Sequence, residues 1–219
     1  SIDYFLQKFT EGSLFKKEKS HYWWRTIFSD TEKRTLFKEE FLKESKIGLD
    51  SFKAYEKYFN KTKDKMSFAE QTLYSDFYLF LIDNANIEVD QLSMAYSLEA
   101  RPPFLSKRFV EFASTVPFAL KLRGSETKYC LRETYKNVLP SYILNRKKSG
   151  LVTPLQLLFR DELKDYLIDH LLSDSMLEYF NKEAIECLLR GQKDRVQNNI
   201  YKIFTLLVLS IWMKLFIKR

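Results

Sequence analysis

Glycine and proline are scarce in this chain, with five of each in 219 residues. Many short strands joined by tight turns need more of that punctuation, so the scarcity argues against a sandwich or barrel and for helices. Cysteine is scarcer still. Cys130 and Cys187 form no CxxC pair and no secreted disulfide framework; each stands in an apolar helical context and is expected as a reduced, buried thiol of a cytosolic protein. The two histidines, His21 and His170, are too far apart in sequence to imply a metal pair, and His21 beside Tyr22-Trp23-Trp24 reads as packing. HExxH, GxSxG and GxGxxG are all absent, as is any Gly-Gly. No apolar run reaches the roughly 20 residues that span a bilayer. The longest such stretch, Ile203 to Met213, reads as a buried core helix. Asp3 and Lys8 interrupt the first apolar residues, so no signal peptide is expected, and a cytoplasmic location without membrane contact is.

What the chain has in quantity is apolar and aromatic surface: 45% hydrophobic residues, with 19 Phe, 13 Tyr and 3 Trp, enough to fill a substantial core. There is no low-complexity segment and no internal repeat. The formal charge is +7, with clusters at Lys16-Lys17-Lys19, Lys61-Lys63-Lys65 and Arg146-Lys147-Lys148. A basic balance admits anionic partners in general, although solvated helix faces account for most such clusters. No nucleic-acid-binding motif accompanies the charge, so nucleic acid is not expected as a partner.

Helical punctuation recurs along the chain. Ser29-Asp30-Thr31-Glu32 and Ser67-Phe68-Ala69-Glu70 are capping-box patterns. Phe52, Tyr55 and Phe59 recur at helical spacing, with lysines opposite. Phe77–Ile82 is apolar all round and predicts a helix buried by neighbours on most sides. A short helix through Phe109–Ala113 must stop near Pro117, and another is expected from about Glu126 to Val138. Thr153-Pro154-Leu155-Gln156 is the clearest helix start, with Thr153 as cap and Pro154 in the first turn. Gly191 ends a penultimate helix that holds Ile185, Leu188 and Leu189. Alternating strand patterns are absent. The fold class is therefore mainly α, a compact helical bundle-like domain over residues 1–219.

Three constellations carry possible chemistry. In DQLSMAYSLEARPPFLS, residues 90–106, Arg101 precedes Pro102 and is pushed out of the helical region, so Met94–Glu99 is expected to be helical and the chain to turn extended at Arg101. Glu99 then lies at a helix C-terminus, where a carboxylate needs a cation, and Arg101 supplies one. This pair is either a buried clamp that fixes the turn or part of a site; Asp90 is either a helix cap or a site carboxylate. The second constellation is Arg146-Lys147-Lys148-Ser149-Gly150 ahead of the Thr153 cap, either a phosphate site at a helix N-terminus or a solvated basic loop. In the third, Gly124 suits a tight turn and Lys128 falls in the first turn of the following helix. There it opposes the helix dipole, which hints at an anionic partner or at Glu126.

These segments, in this order, resemble the C-terminal part of the synthetase domain of glutamine-hydrolysing asparagine synthetases. The stretch from Asp90 to Glu133 is similar to that family's run of an aspartate, an SMA-type stretch, an E-x-R-x-PFL segment and a T-K-Y segment. RKKSGLVTPLQLLF resembles its R-x-K-x-G-F-x-x-P segment, FTLLVLSIW its closing apolar helix, and Tyr22–Leu36 the stretch downstream of its nucleotide site. The resemblance implies an ATP-dependent amide ligase that adenylates the side chain of aspartate, releases pyrophosphate and transfers ammonia drawn from glutamine. It implies that Lys148 is catalytic and neutralises phosphate charge. Lys128, Arg146 and Lys147 would bind substrate or phosphate, and Asp90, Glu99 and Arg101 would shape the site; no metal ligand is implied within the chain.

The departures are as informative. The family's SGG-x-DS loop, its E-L-F-x-G-Y stretch, its early cysteine nucleophile and its glutaminase domain are missing. Ser106 stands where aspartate is usual, and Leu151 where phenylalanine is. The expectation is the C-terminal half of an α/β ATP-pyrophosphatase-type domain whose parallel sheet lies upstream. ATP and Mg2+ would belong to the complete enzyme and none to this chain alone, which should be inactive by itself. The expected partners are the upstream ATP-loop half, the glutaminase domain and aspartate. The competing reading is a non-catalytic helical remnant or interaction module of the same fold.

Overall fold

A computed structural model describes residues 2–45, 48–146, 154–191 and 199–217. The chain is mainly helical and divides into two compact units. The first takes both ends of the sequence, residues 1–57 and 152–219. The second is the excursion between them, residues 58–151.

The first unit opens with α1 Ile2–Ser13, α2 Lys17–Arg25, α3 Asp30–Leu36 and α4 Glu39–Ser45, followed by α5 Phe52–Thr62, which runs on into the second unit. The α1–α2 hairpin closes tightly. The Ser20 hydroxyl donates to the Gly12 carbonyl at 2.8 Å, and a Cβ on Gly12 would run into the Trp24 indole, which stacks on Phe9 at 5.7 Å. At α3 the predicted capping box is complete. The Ser29 Oγ accepts the Glu32 N–H at 3.2 Å, and Glu32 accepts the Ser29 N–H at 2.8 Å. Glu32 also pairs with Lys202, far along the chain.

The second unit holds α6 Phe68–Asp76, a π-helical stretch Phe77–Asn86 and α7 Ile87–Met94. After these come a 3-10 turn at Pro103–Leu105, α8 Lys107–Thr115 and α9 Phe118–Lys121. A ribbon of β1 Leu122–Arg123 and β2 Glu126–Thr127 follows, then α10 Tyr129–Tyr135 and α11 Ser141–Leu144. The second capping box, Ser67 with Glu70, starts α6 as expected. Val116 takes the extended conformation that Pro117 imposes and ends α8 where predicted. Four expectations are corrected in this unit. Phe77–Ile82 is not buried on most sides: no residue of the π-helical stretch is buried, Phe80 is 51% exposed, and Phe77, Tyr78 and Leu81 line a groove. Helix α7 stops at Met94, so of the expected Met94–Glu99 helix only Met94 is helical. Glu126 and Thr127 are extended, so the next helix begins only at Tyr129. Strands do exist, as an antiparallel ribbon with Leu122 opposite Thr127 and Arg123 opposite Glu126. Two residues per strand are too few for alternation to be read.

The first unit then resumes with α12 Leu155–Arg160, α13 Lys164–Leu171, α14 Asp174–Leu177, α15 Lys182–Arg190 and α16 Ile200–Phe216. Its core gathers Leu36, Phe159, Leu167, Leu171, Met176, Phe180, Ile185, Ile203, Leu206, Leu207 and Met213. In α16 the buried residues Ile203, Leu206, Leu207, Ser210 and Met213 recur every three to four positions and form one stripe. Opposite it, Phe204, Val208, Trp212 and Leu215 are exposed, so the expected core helix is buried on one face only. Ser210 donates to the His170 carbonyl at 3.0 Å, which leaves its oxygen to accept from the His170 Nδ1 at 3.2 Å. His170 thereby latches α13 to α16. Among the thiols, both are free but Cys187 is exposed and Cys130 half-buried, since helix context fixes a period and not which face meets water. Gly191 ends α15 as predicted. Pro154 sits one residue before α12 and not within its first turn, and the Thr153 cap lies outside the described residues.

Two outcomes follow from this packing. Leu171 is fully buried, and Leu171→Ala should cost about 2–5 kcal/mol in chemical denaturation. Burial pushes the Glu32 carboxyl up, but hydrogen bonds from Lys202 and Ser29 outweigh it and hold the carboxyl below its ordinary value. Its contribution is therefore present above the unfolded carboxylate range and is lost as pH falls through the depressed folded value. Glu32→Gln should lower stability at neutral pH by about 1–2 kcal/mol and flatten the loss of stability below about pH 4.5, read from thermal melts across pH.

Candidate functional site

The described candidates, Asp90, Glu99, Arg101, Lys128 and Arg146, all fall in the second unit. Lys147 and Lys148 lie outside the described residues. Asp90 is the fourth residue of α7 and exposed; Asn86 holds the N-cap position, so the cap reading of Asp90 is corrected. Its carbonyl accepts the Ser93 hydroxyl at 3.2 Å.

The end of α7 sets the geometry of the E-x-R segment. The Leu98 N–H reaches back to the Ser93 carbonyl at 3.0 Å, and the Ser97 N–H donates to Met94 at 2.9 Å. These two bonds form a Schellman closure, with Ser97 left-handed at φ 58° where glycine is usual. Glu99 follows directly, outside any helix or strand, and Arg101 meets it at 2.7 Å. Side-chain exposures of 65% for Glu99 and 82% for Arg101 overturn the buried clamp. An ion pair this exposed contributes about 0–1 kcal/mol, so both groups can exchange partners at little cost.

The T-K-Y segment is also built on a left-handed residue. The ribbon turns at Gly124, φ +60°, and Lys128 adopts φ 58° immediately before α10. Such a backbone is uncommon for a side chain-bearing residue and marks a position that its surroundings fix. Lys128 therefore precedes the helix instead of lying in its first turn. Arg132 lies 4.0 Å from Glu126 and donates to the Thr127 carbonyl at 3.2 Å, so it answers the carboxylate that Lys128 was expected to meet. The Arg123 guanidinium stacks on the Tyr129 ring at 5.0 Å and bonds its hydroxyl. Lys128 itself is exposed, as is Arg146 just past α11. Helix α12, which comes after Lys147 and Lys148 in the sequence, has six residues.

The only contact among the described candidates is Glu99 with Arg101. No three His, Cys, Asp or Glu side chains among the described residues converge to hold a metal. Sequence reasoning missed a groove of about 670 Å³ between the α6–π-helical stretch and the Pro103–Thr115 segment, with Lys65, Glu70 and Lys121 among its polar lining residues. Its one sequence signal is the pair Tyr74 and Tyr78, four residues apart, leading into the apolar run.

Comparison with known proteins bears on this geometry. The asparagine synthase family model matches residues 7–214. Asparagine synthetase [glutamine-hydrolyzing] 1 of Bacillus subtilis is 30% identical over 146 residues, covering 67% of this chain and 23% of that protein. A putative asparagine synthetase [glutamine-hydrolyzing] of Mycobacterium tuberculosis is 26% identical over 144 residues, 65% of this chain and 22% of its own length. The chain thus spans under a quarter of these relatives. No solved structure matches. No described helix is long and apolar enough to cross a membrane. With the family's model matched from residue 7 to residue 214, this chain belongs to the asparagine synthase family.

Proposed function

We propose that the chain is the helical C-terminal part of the synthetase domain of a glutamine-hydrolysing asparagine synthetase, an amide ligase of the cytoplasm. In this reading a parallel sheet, the ATP loop and the glutaminase domain reside on upstream polypeptide, and aspartate is the acceptor. The observation that carries it is the exposure of the family's ordered motifs. Glu99, Arg101, Lys128 and Arg146 all stand in solvent, on turns of a unit whose apolar residues Phe80, Val89 and Leu92 are also exposed. A surface left open in both its charges and its apolar side chains is suited to receive more polypeptide and a charged substrate.

The described residues do not make a nucleotide site by themselves. They offer no metal cage, and Lys128 and Arg146 present isolated charges. In this reading magnesium and the phosphate cradle belong to upstream polypeptide, and the 219-residue chain alone should be inactive. What this chain contributes is electrostatic. Lys148 is assigned the ammonium that offsets phosphate charge as it develops, and Lys128, Arg146 and Lys147 raise the local positive potential. Asp90, Glu99 and Arg101 shape the site.

Two measurements test this in the complete enzyme. Lys148→Ala should lower kcat for aspartate-dependent pyrophosphate release by about 10²- to 10³-fold, and unchanged turnover would remove the catalytic assignment. Arg101→Ala should leave the melting temperature within about 2 °C, because its ion pair is exposed, yet raise the KM for aspartate. A large loss of stability with normal KM would make Arg101 a structural residue.

A further inference from the structure

The groove of the second unit has a composition that the proposed ligase chemistry does not use. Its volume, about 670 Å³, lies within the roughly 300–1,000 Å³ of small-molecule sites. Its walls are apolar: Leu73, Phe77 and Leu81 on one side, Phe104, Leu105 and Val110 on the other. Polar groups are few and most are already engaged. Tyr78 packs on the Tyr74 ring at 4.9 Å and stacks on Tyr58 at 5.1 Å. Glu70 is held by its capping box, accepting the Ser67 N–H at 2.9 Å and the Ser67 hydroxyl at 2.7 Å. Those bonds and the Lys121 ammonium keep its carboxyl below the ordinary range. Lys65 and Lys121 remain, two ammoniums against one committed carboxylate. A single positive charge is in excess beside an apolar slot. The π-helical stretch supplies Phe77, Tyr78 and Leu81, and such rare helical geometry recurs at functional sites.

We propose that this groove binds an amphipathic monocarboxylate, its apolar tail between the π-helical stretch and α8 and its carboxylate between Lys65 and Lys121. The complement is one of charge and shape. A singly charged head neutralises the excess, whereas a phosphate ester would bring more negative charge than Lys65 and Lys121 can answer beside Glu70. A neutral tail of the same length keeps only the apolar contacts.

Isothermal titration of the purified chain with decanoate and with decan-1-ol tests this. Decanoate should bind saturably at one site, about tenfold or more tighter than the alcohol. The Lys65→Gln/Lys121→Gln double variant, whose exchanges leave the apolar walls intact, should remove that preference without changing alcohol binding. Val110→Trp, which fills the slot, should abolish both, with circular dichroism confirming the fold. Equal affinity for the two probes, indifference to the lysine exchanges, or absence of saturable binding would each overturn the proposal. So would loss of decanoate binding in the longest purified form of the protein, because polypeptide would then occupy the groove.

Discussion

The first unit depends on a short seam between chain segments some 144 residues apart. Asn181 donates through its amide to the Thr35 carbonyl at 2.8 Å and the Phe37 carbonyl at 3.0 Å, while its N–H meets the Leu36 carbonyl at 2.8 Å. The Lys38 N–H returns to the Tyr179 carbonyl at 2.9 Å, and Phe37 stacks on Phe180 at 4.7 Å. These bonds satisfy the carbonyls that the end of α3 leaves without a helical partner. They also bring Leu36 and Phe180 into one core. A seam of this kind holds both ends of the sequence in one unit and makes residues 58–151 an excursion from it.

Charge reinforces the seam within the same unit. Glu32 caps α3 and also pairs with Lys202 in the first turn of α16, so one carboxylate joins a local helix start to the last helix. Lys8 lies close by; burial lowers its pKa, Glu32 opposes that and Lys202 adds to it, while its ammonium donates to the Thr26 carbonyl at 2.6 Å. Half-buried charges are tolerated when each finds hydrogen bonds, and those of this group that are described do.

Features that depend on neighbours three or four residues away were legible in the sequence. Both capping boxes, the stop before Pro117 and the turn at Gly124 are of this kind, because the local chain determines each. What depends on distant partners was not. Nothing around Asn181 announces that its amide meets Thr35 and Phe37, and nothing in Phe77–Ile82 tells a buried helix from one that faces a groove. The left-handed Lys128 was hidden too, because a lysine seldom adopts that backbone and only the ribbon before it makes it necessary. In the candidate site the residues were readable as a motif, but their exposure was not: Glu99 and Arg101 do pair, on the surface.

That exposure separates the two units in chemical terms. A charge that must meet a ligand cannot already be spent on the fold, since desolvating it for structure would have to be undone for binding. In the first unit Lys8, Glu32 and Lys202 are half-buried and tied to partners that hold helices together. In the second, Arg101 keeps one solvent-exposed partner worth at most about 1 kcal/mol, and Lys128 stands in solvent on a backbone fixed by its ribbon. Fixed backbone with uncommitted charge is the combination that binding favours, and it is what the roles proposed for Arg101 and Lys128 would call for.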